Sequence, residues 1–257
     1  MCLIAFCYRT EPSFRLTLLA NRDEFYERET LPAAWWDDQP KLLAGRDLRG
    51  GGSWLGVTRD GRFAALTNYR DPRQQRPDAP SRGALVADFL AGTMTPAAYL
   101  QALGERSRDY NGFNLIVGDR QSLYYLSNVS GAIERIPAGV HALSNHVLNT
   151  PWPKVERLKS ALAAAGPLHD SDALLDLLLD DSLPPDEQLP DTGVGIEWER
   201  RLGSIFIASP SYGTRASTLL CLDEEQCEFV ERGFGAEGAS LGTNRYRFMV
   251  DGGKTGA

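Results

Sequence analysis

The chain is poor in the residue types that most often hold metals or relay protons. It has three histidines in 257 residues (His141, His146, His169), too few and too scattered for a histidine-based metal centre. Its four cysteines (Cys2, Cys7, Cys221, Cys227) form no CxxC pair, which sets aside structural zinc and thioredoxin-like chemistry. Nothing in their spacing suggests a disulfide framework, so a reduced, cytoplasmic compartment is expected. No apolar run approaches the roughly 18 residues a membrane span requires. The apolar opening at residues 1–7 also lacks the basic lead and small-residue cleavage site of a signal peptide. Basic residues are outnumbered, 27 Lys and Arg against 34 Asp and Glu, for a net charge of -7. That balance argues against nucleic acid and anionic membrane surfaces as partners. Gly50-Gly51-Gly52 lacks the Gly-Lys-Ser/Thr ending of a phosphate cradle, and a strand follows it rather than a helix. A tight, permissive turn is the better reading.

What is present is an alternation of strand and helix blocks. Residues 2–8 and 14–21 read as strands joined by a turn-type linker at 9–13. Residues 53–69 read as a hairpin turning at Arg59-Asp60-Gly61. Residues 71–80 form a Pro- and Arg-rich loop. Ser81 is placed to cap one helix, and Thr95-Pro96 opens a second. Strand signals return at 113–117, 122–126 and 139–143. Two helical patterns then start at Pro151 and near Ser171, followed by an acidic, Pro-containing loop at 180–192. Segments 204–208, 217–221 and 228–230 read as closing strands. The order is strands, two helices, strands, two helices, strands, without repeat or linker. Two antiparallel sheets packed face to face, with helix pairs outside, would use these elements economically. The expectation is therefore an α+β, four-layer αββα domain over residues 1–250, with a flexible tail at 251–257.

Cys2 stands directly behind the initiator methionine. Removal of Met1 would leave one residue carrying both a thiol and a free α-amine, which is the equipment of an N-terminal nucleophile. The amine titrates at about 7.7–8.0 and the thiol near about 8.5, so neither needs a large shift near neutral pH. Asn21-Arg22-Asp23-Glu24 follows the second strand. Such a polar run would mark the strand's mouth and, if the first two strands pair, reach back beside Cys2. Arg22 would depress the thiol pKa or orient a substrate carbonyl, and Asp23 would hold the amine through a charge-assisted hydrogen bond. The competing reading is a solvated charged turn. Cys2 itself also fits a core strand as a small hydrophobe, with Ile4 and Phe6 on its face and Cys7 on the other.

These residues carry a family resemblance. Met1-Cys2, Asn21-Arg22-Asp23-Glu24, Ala44-Gly45-Arg46-Asp47 and Gly50-Gly51-Gly52-Ser53-Trp54-Leu55-Gly56 resemble the NRDE family, also called the Transport and Golgi organisation 2 family. The resemblance runs on through Leu66-Thr67-Asn68-Tyr69 and Leu143-Ser144-Asn145-His146 to Tyr212-Gly213-Thr214-Arg215. It implies the αββα fold of N-terminal nucleophile hydrolases. The order Cys2, Arg22, Asp23, Asn68, Asn145, Arg215 is also similar to the site order of choloylglycine hydrolases and penicillin V acylases. By that likeness Asn68 would donate to the oxyanion and Asn145 would fix the α-amine or the substrate carbonyl. Arg215 would stabilise the thiolate or bind an acid group. In the acylases the Arg and Asp are separated by two residues, whereas Arg22 and Asp23 are adjacent. The corresponding pair is Arg22 with Asp23, or Asn21 with Glu24.

Two functions follow as expectations. One is a cysteine amidohydrolase that cleaves a non-peptide C–N amide through an acyl-enzyme on Cys2 and needs no cofactor. The other is a non-catalytic binding or trafficking protein of the same fold. Family members suggest haem or an apolar ligand as its cargo, or a role in Golgi organisation and secretion. The partner is a small-molecule amide or an apolar ligand in either case, and the sequence leaves the oligomeric state open. His146 is expected to satisfy a local hydrogen bond rather than bind metal.

Overall fold

The computed structural model describes residues 2–10, 15–166 and 170–252. Met1, most of the expected 9–13 linker, His169 and the last five residues of the expected tail lie outside that set. The chain opens with β1 (Cys2–Tyr8) and β2 (Leu16–Phe25), then β3 (Thr30–Trp36) and β4 (Gln39–Asp47). The hairpin β5 (Leu55–Thr58) and β6 (Phe63–Asn68) leads into α1 (Gly83–Ala91) and α2 (Pro96–Leu103). Strands β7 (Phe113–Gly118), β8 (Leu123–Ser127), β9 (Ile133–Arg135) and β10 (Gly139–Leu143) come next. Helices α3 (Pro153–Ala165), α4 (Ser171–Asp176) and α5 (Ile196–Arg201) precede β11 (Tyr212–Leu222), β12 (Gln226–Phe234) and β13 (Ser240–Met249).

Among the described residues these strands make two antiparallel sheets, ordered β10-β1-β2-β11-β12-β13 and β3-β4-β5-β6-β7-β8-β9. Strand alternation distributes most of their side chains over three large apolar cores, with a small fourth around Leu202, Ile207 and Tyr212. The even residues Ile4, Phe6, Leu16 and Leu18 meet Val57, Phe63, Ala65 and Ile116 between the sheets. The odd residues Leu3, Ala5 and Leu19 turn outward to Val155, Leu158, Leu174 and Leu175 of α3 and α4. On the other flank Ala64, Leu66 and Leu115 pack under Leu85, Phe89 and Leu100 of α1 and α2. This is the four-layer αββα sandwich, and Cys7 does face away from Ile4 and Phe6.

Local chemistry explains most boundaries. Gly61 takes the left-handed φ of +78° in the β5–β6 turn, and the Thr95 hydroxyl accepts the Ala98 N–H at the start of α2. Gly52 approaches the Gly83 backbone so closely that a Cβ would lie 2.2 Å from it, so the glycine run is a tight turn.

Four expectations are corrected. Ser81 is not the α1 cap, because Arg82 occupies that position. Residues 204–208 are not a strand. Their backbone groups instead meet Asp180, Thr214 and the side chain of Asn21. The strands β3, β4, β9 and β13 are additional to those read from sequence. Finally, β2 does not end at Asn21 but continues through the charged run to Phe25, because β11 pairs with it throughout.

Candidate functional site

Register places Cys2 directly across from Arg22, and Leu3 across from Asn21. Cross-strand partners share a face, so Cys2 and Arg22 both point between the sheets. Asn21 and Asp23 point the other way, into the layer of α3 to α5. No bend in β2 brings Arg22 and Asp23 together. They flank the strand end from its two sides, and both are buried.

Cys2 is buried, 9 % exposed as a residue. Burial pushes its pKa up, the carboxylates of Asp23 and Glu24 push the same way, and Arg22 opposes them. The resting group is therefore a thiol, and attack needs a proton acceptor. Its backbone carbonyl accepts Ser144 Oγ at 3.3 Å, which ties the start of β1 to the end of β10.

On the inter-sheet side the Arg22 guanidinium lies over the Trp54 ring, 4.3 Å from its centroid, and 3.7 Å from Asp47 Oδ2. Arg28 shares that carboxylate at 2.7 Å. Arg22 Nη1 has no hydrogen-bond partner among the described residues. Two strands away, Glu231 is also buried. Its Oε1 accepts the Ala33 N–H at 2.6 Å while Oε2 has no hydrogen-bond partner, and burial pushes its pKa up to about 7.

The helix side is denser. Asn21 Nδ2 donates to the carbonyls of Leu178 and Ile205, both at 2.9 Å, and its Oδ1 accepts Ser217 Oγ at 2.6 Å. The Thr214 hydroxyl donates to Asp23 Oδ1 at 2.8 Å. Burial raises the pKa of Asp23, and Lys154 is the foremost charge opposing that rise. Lys154, in the first turn of α3, is 3 % exposed and donates to the Leu202 carbonyl at 2.9 Å. Burial and the neighbouring Arg70 push its pKa down to about 8. Arg70 forms a buried ion pair with Glu199 at 2.9 Å, and Glu199 also accepts the N–H and hydroxyl of Thr192.

The other residues expected from sequence are placed differently. Asn145 is wholly buried; its Nδ2 donates to the Asn68 carbonyl at 2.9 Å and its Oδ1 accepts Arg70 Nη2 at 3.1 Å. It joins the charged cluster to the end of β6. The Asn68 side chain is half-buried, and strand parity sets it with Ala64 and Leu66 rather than between the sheets. Arg215 is the extra residue of a β-bulge between Thr214 and Ala216. Its guanidinium donates to the carbonyls of Phe25 and Arg28 and to Thr30 Oγ1, which fastens the β2–β3 turn. His146 Nδ1 meets Thr150 Oγ1 at 2.8 Å, the local bond expected of it. Among the described residues no three His, Cys, Asp or Glu side chains form a metal-sized group.

Sequence reasoning missed Lys154, Arg70, Glu199, Thr214 and Glu231. Only Thr214 carried a signal, since it lies within the Tyr212-Gly213-Thr214-Arg215 motif. A separate apolar cavity of about 360 Å³ opens between α1 and α2, lined by Leu85, Phe89, Met94, Tyr99 and Arg62 among others, and by none of the expected site residues.

With this geometry in place, the comparisons define a class. The model of the Transport and Golgi organisation 2 family matches residues 1–236, and the chain belongs to that family. The "Transport and Golgi organization 2 homolog" of Mus musculus is 33% identical over 275 residues, spanning 97% of this chain and 99% of that protein. The Homo sapiens homolog is 33% identical over 256 residues, 90% of this chain and 92% of that protein. Two solved structures are similar in architecture. A Caenorhabditis elegans N-acylethanolamine-hydrolyzing acid amidase ortholog aligns at TM-score 0.49 and 10% identity over 85% of this chain and 92% of that one. The C2A mutant of a Clostridium perfringens conjugated bile acid hydrolase aligns at 0.45 and 9%, over 96% and 92%. Neither likeness, at that score, carries functional weight. Among the described residues no helix is long and apolar enough to cross a membrane.

Proposed function

We propose that this chain is an amidohydrolase in which Cys2, made the first residue by removal of Met1, cleaves a non-peptide C–N amide. One observation carries the reading. The register sets a buried Cys2 opposite Arg22 at the start of β1, where Asp23 flanks the end of β2 from its other face.

The Cys2 thiol gives its proton to its own α-amine as Sγ attacks the amide carbonyl and an S–C bond forms. The amine passes that proton to the leaving nitrogen as the C–N bond breaks. Water then hydrolyses the thioester, releasing a carboxylic acid and restoring the thiol. Asp23 holds the amine, and Arg22 favours negative charge on sulfur or on the substrate carbonyl. Asn145 acts by fixing the Asn68 backbone and Arg70, and Arg215 by holding the β2–β3 turn. The chemistry asks for no cofactor, and it fits a cytoplasmic protein.

The test is intact mass after reaction with a thiol-reactive acyl ester. A single acyl adduct is expected on wild type and none on Cys2→Ala, together with a mature mass lacking Met1. Labelling that survives Cys2→Ala, or a retained Met1, removes the proposal.

The apolar cavity between α1 and α2 favours a second reading, a carrier of an apolar ligand within the same family. Haem is one such cargo, and a role in Golgi organisation would follow from what the relatives are named for. A haem titration without a Soret shift removes the haem version.

A further inference from the structure

The cavity between α1 and α2 is apolar along its walls and charged at its ends. Leu85 and Phe89 of α1 face Tyr99 and Leu103 of α2 across it. Met94, from the connection between the helices, stands 52 % exposed at the rim, and Asp88 and Arg106 share that exposed rim. The inner end is Arg62, the residue before β6, which is only 8 % exposed. Its guanidinium lies over the Phe89 ring, 4.1 Å from the centroid, and Nη2 donates to the Phe89 carbonyl at 2.9 Å. Among the described residues Nε has no hydrogen-bond partner and the side chain makes no ion pair. The acids whose charge reaches it, Asp60 and Asp119, are engaged in their own turns. Asp60 accepts the Thr58 hydroxyl, and Asp119 accepts the N–H groups of Gln121 and Ser122, both at 2.8 Å. A buried guanidinium with one neutral acceptor is costly, and an anion beside it offsets that cost through charge-assisted hydrogen bonds.

We propose that this cavity binds an apolar monocarboxylate, its carboxylate drawn inward to Arg62 and its hydrocarbon lying along Leu85, Phe89, Tyr99 and Leu103 toward Met94. This rests on the carrier reading above and not on the Cys2 chemistry, since none of the expected site residues lines the cavity. What it adds is the charge of the ligand and the residue that reads it. The volume of about 360 Å³ lies at the lower end for small-molecule sites, so the body that fits is one short chain or one ring. One buried cation matches one negative charge. A second charge on the ligand would meet the Asp88 carboxylate at the rim, which favours a monoanion over a dianion. The competing role for Arg62 is structural. The Phe89 carbonyl belongs to the last turn of α1, where a cation satisfies an unpaired oxygen and meets the negative end of the helix.

Probes that share one chain and differ in charge separate the two roles. Octanoate, octanol and octylammonium are titrated by calorimetry into wild type, Arg62→Met, Arg62→Lys, Arg106→Met and Ala102→Trp. Wild type should bind octanoate about tenfold or more tightly than octanol, and octylammonium most weakly. Arg62→Met should erase the preference for octanoate while octanol binds within about twofold of wild type, and Arg62→Lys should keep part of it. Arg106→Met should leave the ranking intact. Ala102 lines the cavity from an exposed position of α2, so Ala102→Trp should fill the space and abolish all binding. Octanoate no tighter than octanol, or a preference that survives Arg62→Met in a protein that melts earlier, makes Arg62 a helix cap and overturns the anion site while the carrier reading stands. A preference that follows Arg106 instead overturns the inward seating, and octanoate binding that survives Ala102→Trp overturns the cavity as its place. A wild type that binds none of the probes removes the carrier reading and this proposal together. Should Arg62→Met fold poorly, the wild-type ranking and Ala102→Trp decide without it.

Discussion

The two faces of β2 at its Cys2 end are built in different ways. On the helix side, Asn21 meets three partners and Arg70 meets Glu199 and Asn145, all within hydrogen-bond distance. On the inter-sheet side, Arg22 Nη1 and Glu231 Oε2 are buried without hydrogen bonds among the described residues, although their charges are opposite. A satisfied buried network fixes one geometry. Orphaned buried atoms mark a place where the fold forgoes stability, which is common where a ligand must enter. The helix side keeps such an atom too, the Tyr212 hydroxyl, so the contrast is one of degree: a mostly paired holding face against a less satisfied one that, under the function proposed above, receives the substrate.

Breaking the holding face should have the largest effect. Glu199→Ala removes the carboxylate paired with the buried Arg70 and should cost about 3–5 kcal/mol. Urea unfolding checks this, and adding Arg70→Met should recover most of the loss. If Glu199→Ala costs under about 1 kcal/mol, the helix side is not the rigid one.

The receiving face predicts a pH effect of the next size. The folded-state pKa of Glu231, pushed up to about 7, lies above its ordinary 4.5. The folded protein then holds a proton that the unfolded chain has released. Its contribution to stability is full below pH 4.5 and is lost as pH rises toward about 7, by on the order of 3 kcal/mol. Glu231→Gln should remove that slope from the urea midpoints, with Arg22 and Tyr246 as the neighbouring groups left in place. A slope unchanged in Glu231→Gln would assign the titration elsewhere.

Smaller effects grade the comparison. Asn21→Leu leaves two carbonyls and a hydroxyl without their partner and should cost about 2 kcal/mol by the same assay. Arg200→Ala, which breaks exposed pairs with Asp186 and Glu197, should cost about 0–1 kcal/mol and leave acylation unchanged. A larger loss there would mean that surface charge, not the buried network, carries stability.

Much of the fold was legible because its elements follow short-range rules. The apolar run of β1, the Asp60-Gly61 turn and the Thr95-Pro96 start of α2 each announce themselves within a few residues. The missed strands do not. In β13, Asn244, Arg245 and Arg247 interrupt the apolar pattern on an edge strand, where only one side is paired. The charged run after Leu19 reads as a solvated mouth for the same reason. What buries it comes from Leu178, Ile205, Thr214 and Ser217, more than 150 residues away. Cys2 facing Arg22 follows from one assumed hairpin and was within reach. Lys154 and Glu199 were not, since each sits in a short amphipathic helix where a charged residue ordinarily faces water.

The bulge at Arg215 has a consequence for how such chains are compared. A strand counts by twos, and one surplus residue makes the count slip phase. Thr214 and Ala216 have the same parity in sequence yet serve opposite faces of the sheet. Any pattern of inward and outward residues carried across position 215 without a reset will assign Tyr212 and Thr214 to the wrong side. The surplus residue is a change of key in the middle of the strand.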